Sequence, residues 1–170
     1  SPKIKNKFMH FSTGSLGHGL SFGSGIAHSK KLKNDNGLVF VLMGDGEMNS
    51  GTVWESAMLS SKLKLENLVA IVDYNKFQAT GRSNEILNIK PLNKKWKSFG
   101  WDVVECNGND HKSLSSSFKK ILKNKKKPKI LIAHTIKGKG INFMENDNNW
   151  HYRSPSKEEL GRAKIELGIL

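Results

Sequence analysis

Cysteine is nearly missing: Cys106 stands alone in 170 residues. A single thiol excludes an intramolecular disulfide framework and a multi-thiolate zinc site, and makes a reducing, cytoplasmic setting the default expectation. Long hydrophobic runs are missing too. The longest uncharged apolar stretch of note, "LVFVLM" at 38–43, is strand-sized, whereas a membrane-spanning helix needs about 20 apolar residues. The N-terminal residues lack the apolar core of a signal peptide, and the chain starts at Ser1 rather than Met, as expected of a fragment. Arginine is scarce, with only Arg82, Arg153 and Arg162, although 28 Lys+Arg against 15 Asp+Glu give a net charge of +13. That surplus favours anionic partners. Nucleic acid is nonetheless disfavoured, because its recognition recruits the planar arginine fork and stacking aromatics. The densest stretch, "KKILKNKKKPK" at 119–129, holds seven lysines and no aromatic residue.

What is present is regular after residue 36. "GLVFVLMG" at 37–44 reads as a buried strand, and "TVWESAMLSSKLKL" as a helix, with Thr52 and Glu55 as a capping box and Trp54, Ala57, Met58 and Leu65 as its apolar side. "LVAIVD" at 68–73, "WDVVEC" at 101–106 and "KILIAH" at 129–134 supply three further strands. A short helix with Trp96 and Phe99 follows Pro91, and Asp110 caps a helix whose Leu114, Phe118, Ile121 and Leu122 face inward. Unbroken apolar strands alternating with amphipathic helices predict an α/β fold, a parallel sheet with helices on both faces. One domain of this length buries a real core. Residues 137–149 form the one polar segment long enough to suggest function or mobility.

The segment "STGSLGHGLSFGSGIAHSKK" at 12–31 is contradictory. Leu16, Leu20, Gly23 and Ala27 recur at helical spacing and ask for one buried face. Yet Gly14, Gly17, Gly19, Gly23 and Gly25 crowd into it, and glycine inside a helix costs roughly 0.5–1 kcal/mol relative to alanine.

In a parallel sheet, ligands collect beyond the carboxyl ends of the strands. There the first strand ends in "GDGEMNSG" and the next in "DYNKFQ". Asp45 projects from a strand tip before a helix begins, and Gly44 and Gly46 allow a tight turn, an arrangement suited to a diphosphate and its magnesium. Asn75 stands at the neighbouring tip. Magnesium wants six oxygens and rarely takes all of them from protein. Singly, "GDG" and Asn75 read more readily as ordinary turns. The pair, with one helix and one strand in the 28 residues between Gly46 and Asn75, is the more specific signal.

"STGSLGHGL", "VFVLMGDGEMNSGTVWESAM", "LVAIVDYNKFQ", "AHTIKGKGINFMEN" and "WHYRSP" together resemble the N-terminal, diphosphate-binding half of transketolase, most closely the split form in which that half is a separate subunit. The resemblance implies a thiamine diphosphate-binding fold with thiamine diphosphate and Mg2+ as cofactors, and transfer of a two-carbon ketol unit from a ketose (phosphate) to an aldose (phosphate). It implies Asp45, Asn75 and the Phe77 main-chain carbonyl as metal ligands, Gly46 and Asn75 at the diphosphate, and Gly14, Ser15 and Leu16 against the thiazolium and aminopyrimidine. Lys137 matches a position near the cofactor. His151 matches a histidine touching diphosphate and substrate, and is the best acid/base candidate because imidazole titrates near neutral pH.

By the same resemblance, residues 1–170 correspond to the diphosphate-binding domain without its upstream part. The pyrimidine-binding domain would come from a C-terminal subunit or domain, in a homodimer or heterotetramer, and this half alone would be catalytically incomplete. His18 stands where many relatives have glutamine. Ser50 stands where glutamate is common, which puts in doubt a proton link between paired sites through Glu55. Another thiamine diphosphate reaction, such as deoxyxylulose-phosphate synthesis, and a non-catalytic scaffold are the rival readings. A dinucleotide-binding fold is disfavoured because "GHGLSFG" and "GSGIAH" both miss the G-x-G-x-x-G spacing.

Overall fold

The computed structural model describes residues 9–169. Helix α1 spans His18–Leu32, strand β1 Val39–Gly44, α2 Gly51–Lys62 and β2 Leu68–Tyr74. A small hairpin follows, β3 at Phe77–Gln78 and β4 at Gly81–Arg82, then α3 at Ser83–Ile86 and α4 at Leu92–Ser98. The rest is β5 at Asp102–Asn107, α5 at His111–Ile121, β6 at Lys129–His134 and α6 at Lys157–Glu166. Four strands form one parallel sheet in the order β1-β2-β6-β5. No described helix is long and apolar enough to cross a membrane.

The apolar runs form this sheet because both of its faces are packed over most of its width. Val41 and Met43 of β1, Leu68, Ala70 and Val72 of β2, and Ile130 and Ile132 of β6 bury one face against Leu20 and Ala27 of α1, Val53 and Ala57 of α2, and Trp96 of α4. On the other face, Val104, Cys106, Leu131 and Ala133 meet Ile121, Leu114 and Phe118 of α5. Asp110 accepts the Ser113 N–H at 2.5 Å and starts α5 as the sequence predicts. Cover on this second face stops short of β1: Phe40 is 51% exposed and Leu42 72%. Trp96 lies wholly buried in an aromatic cluster, tilted against Trp54 and edge-to-face with Trp101, and the Trp101 indole N–H donates to the Ala57 carbonyl at 2.9 Å.

Several local expectations change. Leu16 precedes α1 and is 67% exposed, so the buried face of that helix is Leu20, Gly23, Ser24 and Ala27. Thr52 and Glu55 make no capping box; Ser50 is the N-cap of α2, and Thr52 instead directs its hydroxyl to the Gly17 carbonyl at 3.4 Å. Met58 is exposed, because α2 turns the small residues Ser56, Ala57 and Ser60 inward. Those small residues explain the helix pair. Ser21 bonds Ser56 at 2.7 Å and Ser24 bonds Ser60 at 2.8 Å, which holds α1 and α2 close. A Cβ at Gly23 would sit 2.3 Å from Val41 Cγ2, so α1 can lie this near β1 only as glycine. Of the seven lysines at 119–129, six lie in solvent; Lys129 is 1% exposed and donates to the Glu66 and Lys127 carbonyls at the amino end of the sheet.

Candidate functional site

The register sets the geometry of the strand tips. Gly44 of β1 pairs with Asp73 of β2, and Tyr74 of β2 with His134 of β6. Asp45 and Asn75, each one residue beyond its paired strand, therefore leave neighbouring strands at the same end of the sheet. The β1 chain turns at once into a 3-10 helix, Asp45–Asn49. Asp45 is 1% exposed. Its Oδ2 accepts the Lys76 N–H at 2.9 Å and the Ser83 hydroxyl at 2.9 Å, while its Oδ1 is buried and meets no hydrogen-bond partner among the described residues. Asp45 is thus bonded to the residue next to Asn75, and the two tips meet rather than diverge.

Burial pushes the Asp45 carboxyl up to about 6, against the lowering effect of the Ser83 and Lys76 hydrogen bonds. A buried carboxylate with one tied and one orphaned oxygen is out of balance as it stands. A divalent cation at Oδ1 would restore that balance.

Asn75 is held by its own turn. Its Oδ1 accepts the Phe77 N–H at 2.9 Å and its Nδ2 donates to Asp73 at 3.2 Å. An amide oxygen has two lone pairs, so one remains for a cation. Lys76 between them takes a φ of 71°, which turns the chain sharply enough for its N–H to reach Asp45. Phe77 is buried, opens the β3–β4 hairpin, and pairs with Arg82, whose guanidinium lies 4.7 Å from the Phe77 ring centroid. Gly46 packs against Gln78, where a Cβ would come within 2.9 Å of the Gln78 Cβ. No group of three His, Cys, Asp or Glu side chains able to hold a metal occurs among the described residues. A cation at Asp45 would therefore draw amide, carbonyl and ligand oxygens to complete its shell, and magnesium accepts such a set.

The remaining predicted residues fall into two places. A hollow of about 430 Å3 at the ends of β2 and β6 is lined by Asn75, Asp73, Asn109, Thr135, Lys137 and Lys139. His151 lies on a 3-10 turn, Asn148–His151, with its Nδ1 3.5 Å from the Lys137 ammonium. Asn148 anchors that turn by donating to the Ala79 carbonyl at 3.2 Å, just past Gln78. The segment holding Lys137 and Lys139 is braced internally: Lys139 pairs with Glu145 at 2.9 Å, and the Asn146 N–H returns to the Lys137 carbonyl at 2.9 Å. Of the two lysines, Lys137 is the one turned toward His151.

Gly14 and Ser15 line a different groove, about 600 Å3, along the free edge of β1. Leu16 is exposed, its N–H donating to the Gly14 carbonyl at 2.8 Å. Their link to the strand tips is Glu47, whose carboxylate accepts the Gly17 N–H at 2.9 Å and the Gly44 N–H at 2.9 Å.

Glu47 and Ser83 are the residues that reading the sequence missed. Glu47 had a faint signal, since it stands at the third position of a short helix begun by Gly44, where a carboxylate reaches back to the capping N–H. Ser83 had none. The hairpin alone returns it to Asp45, helped by the Ser83 N–H on the Lys76 carbonyl at 3.0 Å.

The family model described as transketolase, thiamine diphosphate binding domain, matches residues 2–170. An apulose-4-phosphate transketolase subunit of Phocaeicola vulgatus is 40% identical over 166 residues, which is 98% of this chain and 59% of that protein. The 6-deoxy-6-sulfo-D-fructose transketolase subunit SqwG of a Clostridium species is 35% identical over 91% of this chain and 56% of its own length. The chain thus spans little more than half of these relatives. Among solved structures, transketolase from Campylobacter jejuni superposes with a TM-score of 0.84 at 27% identity, covering 92% of this chain and 26% of that one.

Proposed function

The chain belongs to the transketolase family, and on that premise we propose that it is the thiamine diphosphate- and magnesium-binding half of an enzyme that moves a two-carbon ketol unit from a ketose to an aldose. The observation that carries this reading is Asp45, buried beside the Asn75 turn with Oδ2 tied by Lys76 and Ser83 and Oδ1 without a partner among the described residues. When bound, thiamine diphosphate supplies an electron sink for breaking a carbon–carbon bond next to a carbonyl. The protein's part is to hold and orient. Asp45, Asn75 and the Phe77 carbonyl would hold magnesium, Gly46 and Asn75 would face the diphosphate, and Gly14, Ser15 and Leu16 would line the ring side. Lys137 would add positive charge beside the hollow. His151, within reach of Lys137 and exposed, would exchange a proton with a substrate hydroxyl.

A complementary pyrimidine-binding subunit or domain would complete the site, in a homodimer or heterotetramer. The relatives named above act on a ketose phosphate and a sulfonated ketose. Both carry an anion remote from the ketose carbonyl, so an anionic ketose is the substrate class proposed here, consistent with a chain of net charge +13.

The test combines the chain with its complementary half, thiamine diphosphate and Mg2+, and offers a ketose phosphate or pyruvate as donor to an aldose acceptor. Consumption of the ketose with a two-carbon lengthening of the acceptor is expected. Turnover with pyruvate alone would reassign the reaction to deoxyxylulose-phosphate synthesis, and absence of cofactor uptake would leave a scaffold subunit.

A further inference from the structure

Resting on the cofactor reading above, we propose that Glu47 is a positioning residue that couples the Gly14–Gly17 loop to the cation-bearing tip of β1. Its carboxylate is 5% exposed and both of its oxygens are used. Oε1 accepts the Gly17 N–H and Oε2 the Gly44 N–H, each at 2.9 Å. Gly44 immediately precedes Asp45, and Gly17 closes the loop proposed to line the cofactor rings. One side chain therefore fastens together two segments lying 27 residues apart in the chain, Gly17 and Gly44.

The fastening is specific to a carboxylate. Two N–H donors converge on Glu47, and glutamine could satisfy only one while turning its own NH2 group toward the other. No ion pair among the described residues reaches Glu47, so these amides are what holds its charge in place. Gly17 is gripped from its other side as well, by the Thr52 hydroxyl on its carbonyl. With φ at 84°, Gly17 is a sharp corner. Its orientation sets where Gly14, Ser15 and Leu16 lie relative to Asp45.

Two readouts test this on the protein assembled with its complementary half. Hydrogen exchange without cofactor compares residues 14–20 with the core strand β6, and titration with thiamine diphosphate in excess Mg2+ gives the affinity. Glu47→Gln is expected to speed exchange at 14–20 and to weaken thiamine diphosphate binding, each about tenfold or more, with β6 protection unchanged. Thr52→Val, a milder release of the same corner, is expected to weaken binding about threefold. A purely structural Glu47 would loosen β6 together with the loop, and that outcome overturns the inference. Parent-like affinity in Glu47→Gln overturns it too and leaves the cofactor reading intact. If the unsubstituted protein takes up no thiamine diphosphate, the cofactor reading falls and this inference falls with it.

Discussion

Asp45→Ala abolishes magnesium-dependent binding of thiamine diphosphate, with an expected loss of affinity of at least a hundredfold, about 2.7 kcal/mol. The magnitude follows from the donor set. Asp45 is the one charged donor in the proposed set, since Asn75 and the Phe77 carbonyl are neutral. Removing it takes away the charged side-chain ligand of the cation. Asp45→Asn separates that role from packing. Asparagine keeps an oxygen for the Lys76 and Ser83 donors that now meet Oδ2 but carries no charge, so it too should fail to bind. Thermal denaturation reports the same linkage independently. A ligand that binds only the folded protein raises its stability, so Mg2+ with thiamine diphosphate should raise the Tm of the parent and leave that of both variants unmoved. Parent-like affinity in Asp45→Ala would remove the metal assignment.

Gly17→Ala is expected to destabilise the fold itself. The φ of 84° at this corner is strained for any residue with a Cβ, by roughly 1–2 kcal/mol. The added Cβ would also sit 2.6 Å from the Ser50 Cβ and 2.8 Å from the Thr52 hydroxyl, and forcing such contacts costs about 1–3 kcal/mol more. Together these give a destabilisation of about 2–5 kcal/mol, measured by denaturant titration. Gly25 provides the contrast. It lies within α1 with nothing inside 4 Å of an added Cβ, so Gly25→Ala should stabilise by about 0.5–1 kcal/mol through helix propensity alone. Equal effects from the two substitutions would show that the corner does not need glycine.

This contrast also resolves the glycine-rich helix. Within α1 the glycine that packing requires is Gly23, pressed on Val41, whereas Gly25 is merely tolerated; Gly17 serves the corner before the helix, not the helix.

The sheet was legible because β1, β2 and β6 are unbroken apolar runs; β2 and β6 are buried on both faces and leave that signature, whereas β1 carries the same run with one face largely open. Asp110 and α5 were legible because capping and a single apolar stripe are local features. That Asp45 and Asn75 leave neighbouring strand tips followed from the sequence once β1 and β2 lie side by side, as they do here. What failed depended on distant partners. Leu16 carries the spacing of a helix face, but α1 begins only after the Gly17 corner. Thr52 and Glu55 fit the spacing of a capping box, yet the Thr52 hydroxyl is taken by Gly17, 35 residues away. Lys129 looks like its solvated neighbours until the Glu66 and Lys127 carbonyls surround it. Ser83 and Glu47 act through the hairpin and the glycine corner, and neither fold-back is encoded in a local pattern.

The central claim is that Asp45 and Asn75 share one divalent cation. Its most direct test is a crystal of the protein with its complementary half, thiamine diphosphate and Mn2+, read by anomalous scattering. The account predicts one peak within about 2.0–2.3 Å of both Asp45 Oδ1 and Asn75 Oδ1. A peak that touches neither oxygen, or ordered cofactor with no metal between these strand tips, would contradict it.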